Sequence, residues 1–533
     1  MKRLILFSAI CLSTAFVGCI HNDLPYPVVT INIEALEAEG LNGAAEINAA
    51  QQTVTLPLSE TTDIRNVHIT SVTLTEGGQS SVAFPGTFDL RTPLYTTLSL
   101  YQDYGWSIAA TQTIERYFNV KKQVGAAEID PANRTATAYV SRSTDLQNVP
   151  VKELKLGPAE ITTYSPQIEG TTSFETVRLV DVTAHGRTEQ WRLYVIPTDI
   201  TVRITQCDAW ARIAWLAADG LSDTEMGFRY RKKGDTEWLP APDVEIEGGT
   251  FRTKLTGLDP ETTYELQAYS DTDTSDIREF TTDATPQLLN AGFETWSTDR
   301  SDILYPYAAE ATAEERYWAT GNPGSMTLKK LVTTNEKNPR PGSDGQFCAQ
   351  LKSQYVSFLG VGKFAAGNLF TGRYAETKGT DGIVQFGQPF TSRPVALHGW
   401  VKYNRGKMDY IKNSPVGMNF AKGDPDEGII YMALGRWTAA EYGGTEQSPV
   451  QIYTRDMKTF FDPKGKDVIA YGEVVFTTSV DEWREFTVKL DYAATDIRPT
   501  HLMIVCSASR YGDYFTGSSD SMMWVDDFEL IYE

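Results

Sequence analysis

The run Trp483-Arg484-Glu485-Phe486-Thr487-Val488-Lys489-Leu490-Asp491-Tyr492 sets Phe486, Val488 and Leu490 on one face, with polar side chains between them. Successive side chains of a strand point to opposite faces of a sheet, so a period of two marks a strand with one buried face. Outward from it, Ala396 to Tyr403 and His501 to Ser507 also read as strands. One short helix is expected over Ala308 to Tyr317, with long polar loops filling much of the rest. These elements belong to a segment, 287–533, that opens on Leu289-Asn290-Ala291-Gly292-Phe293-Glu294-Thr295-Trp296 and closes on Trp524-Val525-Asp526-Asp527-Phe528-Glu529-Leu530-Ile531-Tyr532.

Upstream, the chain repeats itself. Gly43-Ala44-Ala45-Glu46-Ile47 returns as Gly125-Ala126-Ala127-Glu128-Ile129, and 13 of the 25 residues from 43 to 67 are identical at that offset of 82. Trp106 and Trp191 each centre a strand near the end of a copy. Short runs such as Thr53-Val54-Thr55-Leu56 and Val177-Arg178-Leu179-Val180, separated by polar turns, predict two all-β sandwiches at 29–110 and 111–199. An 82-residue period exceeds the roughly 20–50 residues of a solenoid unit, so the copies are separate domains. They resemble the immunoglobulin-like spacers of Bacteroides lipoproteins. Residues 200–284 carry Trp215 in a strand, the alternation Phe228-Arg229-Tyr230-Arg231, and Leu258-Asp259-Pro260-Glu261-Thr262-Thr263-Tyr264. That last pattern resembles the tyrosine corner of a fibronectin type III domain, in which the ring packs in the core and the hydroxyl binds upstream backbone. Asp283-Ala284-Thr285-Pro286 reads as a linker. The expected fold class is all-β: tandem sandwiches of immunoglobulin-like and fibronectin III-like type, then a larger jelly-roll sandwich.

Residues 1–18 read as a secretory leader, with Lys2 and Arg3 before the apolar stretch Leu4 to Val17, which is too short for a membrane span. Phe16-Val17-Gly18-Cys19 resembles a bacterial lipobox, with Phe16 where leucine is usual. The resemblance implies lipidation of Cys19, a tether over 19–28, and contact with membrane through the lipid alone. Ile20-His21-Asn22-Asp23 bears a weak resemblance to the export tag of surface lipoproteins in the Bacteroides group. The expected location is the outer membrane, on the cell surface, with the periplasmic face as the alternative. Net charge is −21, and losing Lys2 and Arg3 with the leader takes it to −23. Such a chain repels nucleic acid and anionic headgroups. Cys207, Cys348 and Cys506 are far apart and form no disulfide framework. Cys506, within Leu502-Met503-Ile504-Val505, reads as a buried thiol.

The Asn-x-Gly-Phe-Glu opening and Val-Asp-Asp-Phe-Glu-Leu closing of 287–533 resemble the bracketing strands of jelly-roll carbohydrate-binding modules. Together with Gly367-Asn368-Leu369-Phe370-Thr371-Gly372 and Gly399-Trp400-Val401-Lys402-Tyr403, they are similar to the C-terminal domain of Bacteroides lipoproteins named for putative carbohydrate metabolism (PCMD). The resemblance implies a structural Ca2+ held by Glu294 with Asp526 or Asp527. Glycan capture would use exposed rings, and the candidates are Trp296, Tyr305, Tyr307, Tyr317, Trp318, Trp437 and Tyr442, each otherwise a core aromatic. Hydrolysis would need two facing carboxylates. Asp424, Asp426 and Glu427, and Asp481, Glu482 and Glu485, supply acids without the spacing of a jelly-roll laminarinase. Gly360-Val361-Gly362-Lys363 lacks the Ser or Thr that a phosphate loop requires, since Phe364 follows it, and reads as a turn. The five histidines have no metal-ligand spacing. The function expected is surface glycan binding without catalysis. The alternatives are an adhesin or structural protein with protein partners, and a glycoside hydrolase.

Overall fold

The computed structural model describes residues 31–49, 51–100, 102–168, 170–358, 361–379, 381–415 and 418–533. The leader, Cys19 and the tether lie outside them. The described chain is almost entirely β, as the alternation predicts.

The two N-terminal copies repeat strand for strand. The first pairs Glu46–Asn48, Thr53–Leu58, Asp103–Gln112, Leu94–Ser99 and Gln79–Ser80 in one sheet, and Ile33–Ala38, Val67–Leu74 and Gly86–Phe88 in the other. The second has Glu128–Asp130, Thr135–Ser141, Arg187–Thr198, Arg178–Ala184 and Thr163–Ser165 in the same order, facing Tyr117–Val120, Val149–Lys155 and Gly170–Thr172. Trp106 and Trp191 are both buried. Thr135–Ser141 alternates half-buried and buried along its whole length, so its alanines and valine fill the core while its polar side chains face outward. In the second copy Tyr164 Oη accepts the Leu156 N–H at 2.9 Å.

The third domain packs Val202–Ala209, Ile213–Gly220, Thr250–Thr256 and Glu245–Glu247 against a sheet built on Met226–Lys232 and Thr263–Ser270. Tyr264 is buried, and its hydroxyl accepts the Asp259 N–H at 2.9 Å, which is the corner read from the sequence.

The C-terminal domain is a two-layer sandwich. Its larger sheet runs Val450–Tyr453, Asp381–Phe386, Asn368–Lys378, His501–Ser507, Gly428–Gly435, Val468–Phe476 and Asp491–Tyr492, with Trp318–Ala319 and Gln388–Pro389 as short additions. The smaller runs Thr333–Glu336, Cys348–Lys352, Met522–Ile531, Ala396–Asn404 and Val480–Lys489. Between them lies a core that includes Phe293, Trp318, Phe486, Val488, Ile504 and Phe528. A second apolar cluster, with Phe370, Phe386, Trp437, Met503 and Val505, covers the other face of the larger sheet. Every residue of His501–Ser507 is therefore buried, which explains an unbroken apolar run where a one-sided strand would alternate. Cys506 is fully buried, and desolvation pushes its thiol far up.

The helix expected over Ala308 to Tyr317 does not form. The Thr312 N–H bonds Glu315 Oε2 at 2.8 Å and the Arg316 N–H reaches Thr312 O at 3.2 Å, closing a single turn. The chain then enters the sheet at Trp318–Ala319, whose burial outweighs local helix propensity. The one-turn helix of this region is Asn322–Ser325.

Asp283 belongs to a fixed junction, not a free linker. Its carboxylate meets Arg393 Nε and Nη2, both at 2.9 Å, and Arg498 Nη2 lies 2.6 Å from Oδ1 as an ion-pair contact. Arg393 also donates to the carbonyls of Ala209 and Thr495, and the Trp210 and Tyr492 rings pack 4.5 Å apart beside it. The third domain and the C-terminal sandwich thus share a contact built on a buried ion pair.

Candidate functional site

The opening segment of the C-terminal domain, expected as a strand, is irregular around Glu294, yet it meets the last strand, the Phe528 N–H donating to Ala291 O at 3.0 Å, and this brings Glu294, Asp526 and Asp527 to one place. Asp527 has φ 44° on a strand whose register slips opposite His398 and Trp400. That bulge leaves Asp526 wholly buried and turns Asp527 toward Arg340. Arg340 Nε donates to Asp527 Oδ2 at 2.6 Å, and the Arg340 N–H to Asp526 Oδ2 at 2.8 Å. Both oxygens of Glu294 accept backbone N–H groups, from Gln346 at 2.8 Å and Phe347 at 3.0 Å. The trio is satisfied by protein donors, with Arg340 as its cation, and so arranged does not fit Ca2+. Among the described residues no group of three or more His, Cys, Asp or Glu side chains is placed to hold a metal ion.

Burial, with Asp527 and Glu294 nearby, pushes the Asp526 carboxyl up to about 6, although the Arg340 amide opposes the shift. A carboxyl raised in the folded state binds its proton more tightly there than in the unfolded chain, so its contribution to stability grows as pH falls from about 6 toward 4. We expect Asp526→Asn to shift the stability difference between pH 7 and pH 4.5 by about 2 kcal/mol, the roughly 1.5 pH units between about 6 and 4.5 at 1.36 kcal/mol each. Paired melts of wild type and variant across that range measure it, and parallel curves would refute it.

The aromatic candidates are mostly structural. Trp318 is fully buried, donating Nε1–H to Leu289 O at 2.8 Å, and Trp437 is buried in the second cluster. These two are corrected to core residues, because both faces of the larger sheet are covered. Tyr317 and Trp296 pack against the main core, and Trp296 donates to Phe293 O. Tyr305 and Tyr307 stack on each other at 5.2 Å, and the Tyr442 hydroxyl binds Asp467 at 2.7 Å.

The concave site lies elsewhere, on the outer face of the larger sheet. A cleft of about 420 Å³ is floored by outward side chains of its strands, among them Phe370, Val384, Phe386, Ile429, Tyr431 and Val505. Its walls come from the hairpin Gln354–Phe358/Val361–Ala365, the turn around Asn322–Ser325, and the 3-10 turn Gly512–Tyr514 with Phe515. None of the seven aromatic candidates lines it. The rings that do are Phe364, Phe370, Tyr374, Phe386, Tyr431 and Phe515.

Few polar groups interrupt this lining. Lys363 Nζ pairs with Asp381 Oδ1 at 2.5 Å, and both are largely shielded from solvent. Arg510 is committed to Glu427 at 3.1 Å and Glu473 at 3.3 Å. Asp513 lines the cleft with its side chain exposed, and the desolvation that neighbouring protein imposes raises its carboxyl to about 6. Asn368, Thr377, Thr454 and Ser507 add further polar groups to the lining. The sequence signals for these residues were faint: Lys363 sits in the stretch read as a turn, and nothing local marks Asp381, Asp513 or Phe515.

The acidic groups weighed for hydrolysis do not supply the cleft. Asp426 is wholly buried, accepting from Ser509, Ser518 and Ser521, and Asp481, Glu482 and Glu485 stand on an edge strand of the smaller sheet.

Residues 292–531 match the family model described as "Putative carbohydrate metabolism domain". The C-terminal domain belongs to that family. Among solved structures, a "putative glycoside hydrolase" from Bacteroides thetaiotaomicron is 18% identical, with 78% of this chain and 96% of that one covered at a TM-score of 0.31. Another so described, from Bacteroides vulgatus, is 21% identical, with 45% and 97% covered at a TM-score of 0.33. No curated protein matches the chain.

Proposed function

We propose that this chain is a lipid-anchored surface protein that captures glycan in the cleft of its PCMD domain. The observation that carries the reading is the cleft itself: aromatic rings on floor and walls, with a handful of polar groups between them. Ring faces accept the apolar C–H faces of sugars, and the polar groups orient hydroxyls. An aromatic-lined groove suits a glycan better than the flat apolar patch that a protein-binding adhesin would present. Cys19 would hold the chain at the outer membrane, facing the medium. A glycan array probed with the full chain tests the capture reading. Binding that Phe515→Ala abolishes is expected, and silence toward every glycan would sink it. Labelling of Cys19 by a palmitate analogue, lost in Cys19→Ser, tests the anchor.

One observation favours hydrolysis as a second reading. Asp381 and Asp513 both line the cleft, one bound to Lys363 and the other with its carboxyl raised, so the two environments separate the roles of base and acid. On this reading, reducing ends released from a bound glycan appear below about pH 6 and disappear in Asp513→Asn, while binding persists. Release that is unchanged in the variant would remove Asp513 from any such role.

A further inference from the structure

We propose that the glycan taken by the cleft is acidic, its carboxylate or sulfate received by Lys412 beside Lys363 over the ring of Phe515. This rests on the capture reading and adds the class of ligand. Two ammonium groups converge on one ring: Lys363 Nζ lies 4.1 Å and Lys412 Nζ 4.8 Å from the Phe515 centroid. Arg455 adds a third positive charge near Lys412, and Asp381 opposes them. Asp381 is already committed to Lys363 at 2.5 Å. Among the described residues no carboxylate stands within ion-pair distance of Lys412.

That excess of positive charge is local and runs against the rest of the molecule, whose net charge is −21. It is also held in place. The Lys412 N–H donates to Thr516 Oγ1 at 3.1 Å, and Thr516 Oγ1 donates to Asn413 O at 2.6 Å, fastening this loop to the segment that carries Phe515. Phe515 itself is buried in the left-handed conformation at φ 53°, so the ring is fixed as the shared platform. Partial desolvation and the neighbouring Lys363 hold the Lys412 ammonium below the ordinary lysine range, an unfavourable placement that an arriving anion relieves. A sugar acid satisfies both features at once, its ring against the aromatic wall and its charge on Lys412. A carboxylate and a sulfate ester present the same oxygen-borne charge.

The test is calorimetric titration of the full chain with uronate oligosaccharides, with sulfated oligosaccharides, and with their carboxyl-reduced or desulfated counterparts of equal length. Either acidic class is expected to bind at least about tenfold tighter than its neutral counterpart. Raising NaCl from 50 to 500 mM should weaken the acidic ligand and leave the neutral one unmoved, since added salt screens exposed charges. Lys412→Met should erase most of the acid preference and Lys412→Glu invert it, with neutral binding retained in both. The lysine side chain is exposed, and unchanged melting temperatures would confirm that the variants fold. Equal affinity for acidic and neutral glycans, or a preference that survives Lys412→Met, overturns this proposal while capture stands. Binding of no glycan in either class overturns both.

Discussion

Replacing Asp283 by alanine is expected to cost about 3–5 kcal/mol, the usual penalty for stranding a buried charge by removing its partner. The Arg393 side chain is only 3% exposed and Asp283 2%, so neither has water to fall back on. Arg498, at 57% exposed, can return to solvent, which places the loss on Arg393. The guanidinium would keep the Thr495 and Ala209 carbonyls and its position 5.5 Å from the Trp210 ring, but no negative charge. The contact between the third domain and the PCMD domain should loosen first, so unfolding followed through tryptophan fluorescence is expected to split into two transitions. Arg393→Met together with Asp283→Leu should recover much of the loss, because well-packed apolar side chains commonly replace a buried ion pair without penalty. A loss under about 1 kcal/mol for Asp283→Ala would show that the junction does not depend on this pair.

Asp426→Ala should be comparably damaging, by about 3–5 kcal/mol, because it orphans several buried donors at once. Its Oδ2 accepts from Ser509 Oγ at 2.6 Å, from the Ser518 N–H at 2.8 Å and from Ser521 Oγ at 2.8 Å, and Oδ1 accepts the Glu427 N–H at 2.8 Å. Each unsatisfied buried donor costs roughly 1–3 kcal/mol, and the hydroxyls can recover part of that by rotating. Asp426→Asn keeps an acceptor where three donors converge and places an amide against the Glu427 N–H, so it should lose less than half as much. Burial raises the Asp426 carboxyl above its ordinary value despite these bonds. Chemical denaturation of the two variants against wild type reads the difference. Equal losses for Ala and Asn would mean that the charge, not the hydrogen-bond geometry, is what this knot requires.

Asp426 also shows what could be read locally and what could not. In the sequence it is one of three acids in a polar loop, and the bland and catalytic readings differ only in what surrounds it. The serines that bury it arrive from 83 to 95 residues away. By contrast, Tyr264 and its Asp259 partner are five residues apart, so the corner was legible in full. Phe486, Val488 and Leu490 were legible for a similar reason: a strand's two faces are fixed by its own backbone, and all three are buried. The tandem copies were legible because duplication keeps the strand spacing.

The PCMD domain divides along the same line. Its opening and closing segments stood out in the sequence, and they bring Glu294, Asp526 and Asp527 together, although only the closing one is a strand. Arg340, nearly two hundred residues before the aspartates, took the place expected for a cation. The rings of Trp318 and Trp437 could not be assigned to core or surface from periodicity, because that depends on whether the outer face of the larger sheet is covered. It is covered, in part by the loops that also leave the cleft open.

The sequence alone determined an all-β chain, its duplicated N-terminal copies, the tyrosine corner and the family of the C-terminal domain, since each rests on patterns within a few residues or on spacing that duplication preserves. Only the tertiary structure decided the cleft. Lys363, Asp381, Lys412 and the turn that carries Asp513 and Phe515 come from separate segments and acquire a common role only when hairpin, sheet and turn pack together, and no local pattern encodes that packing.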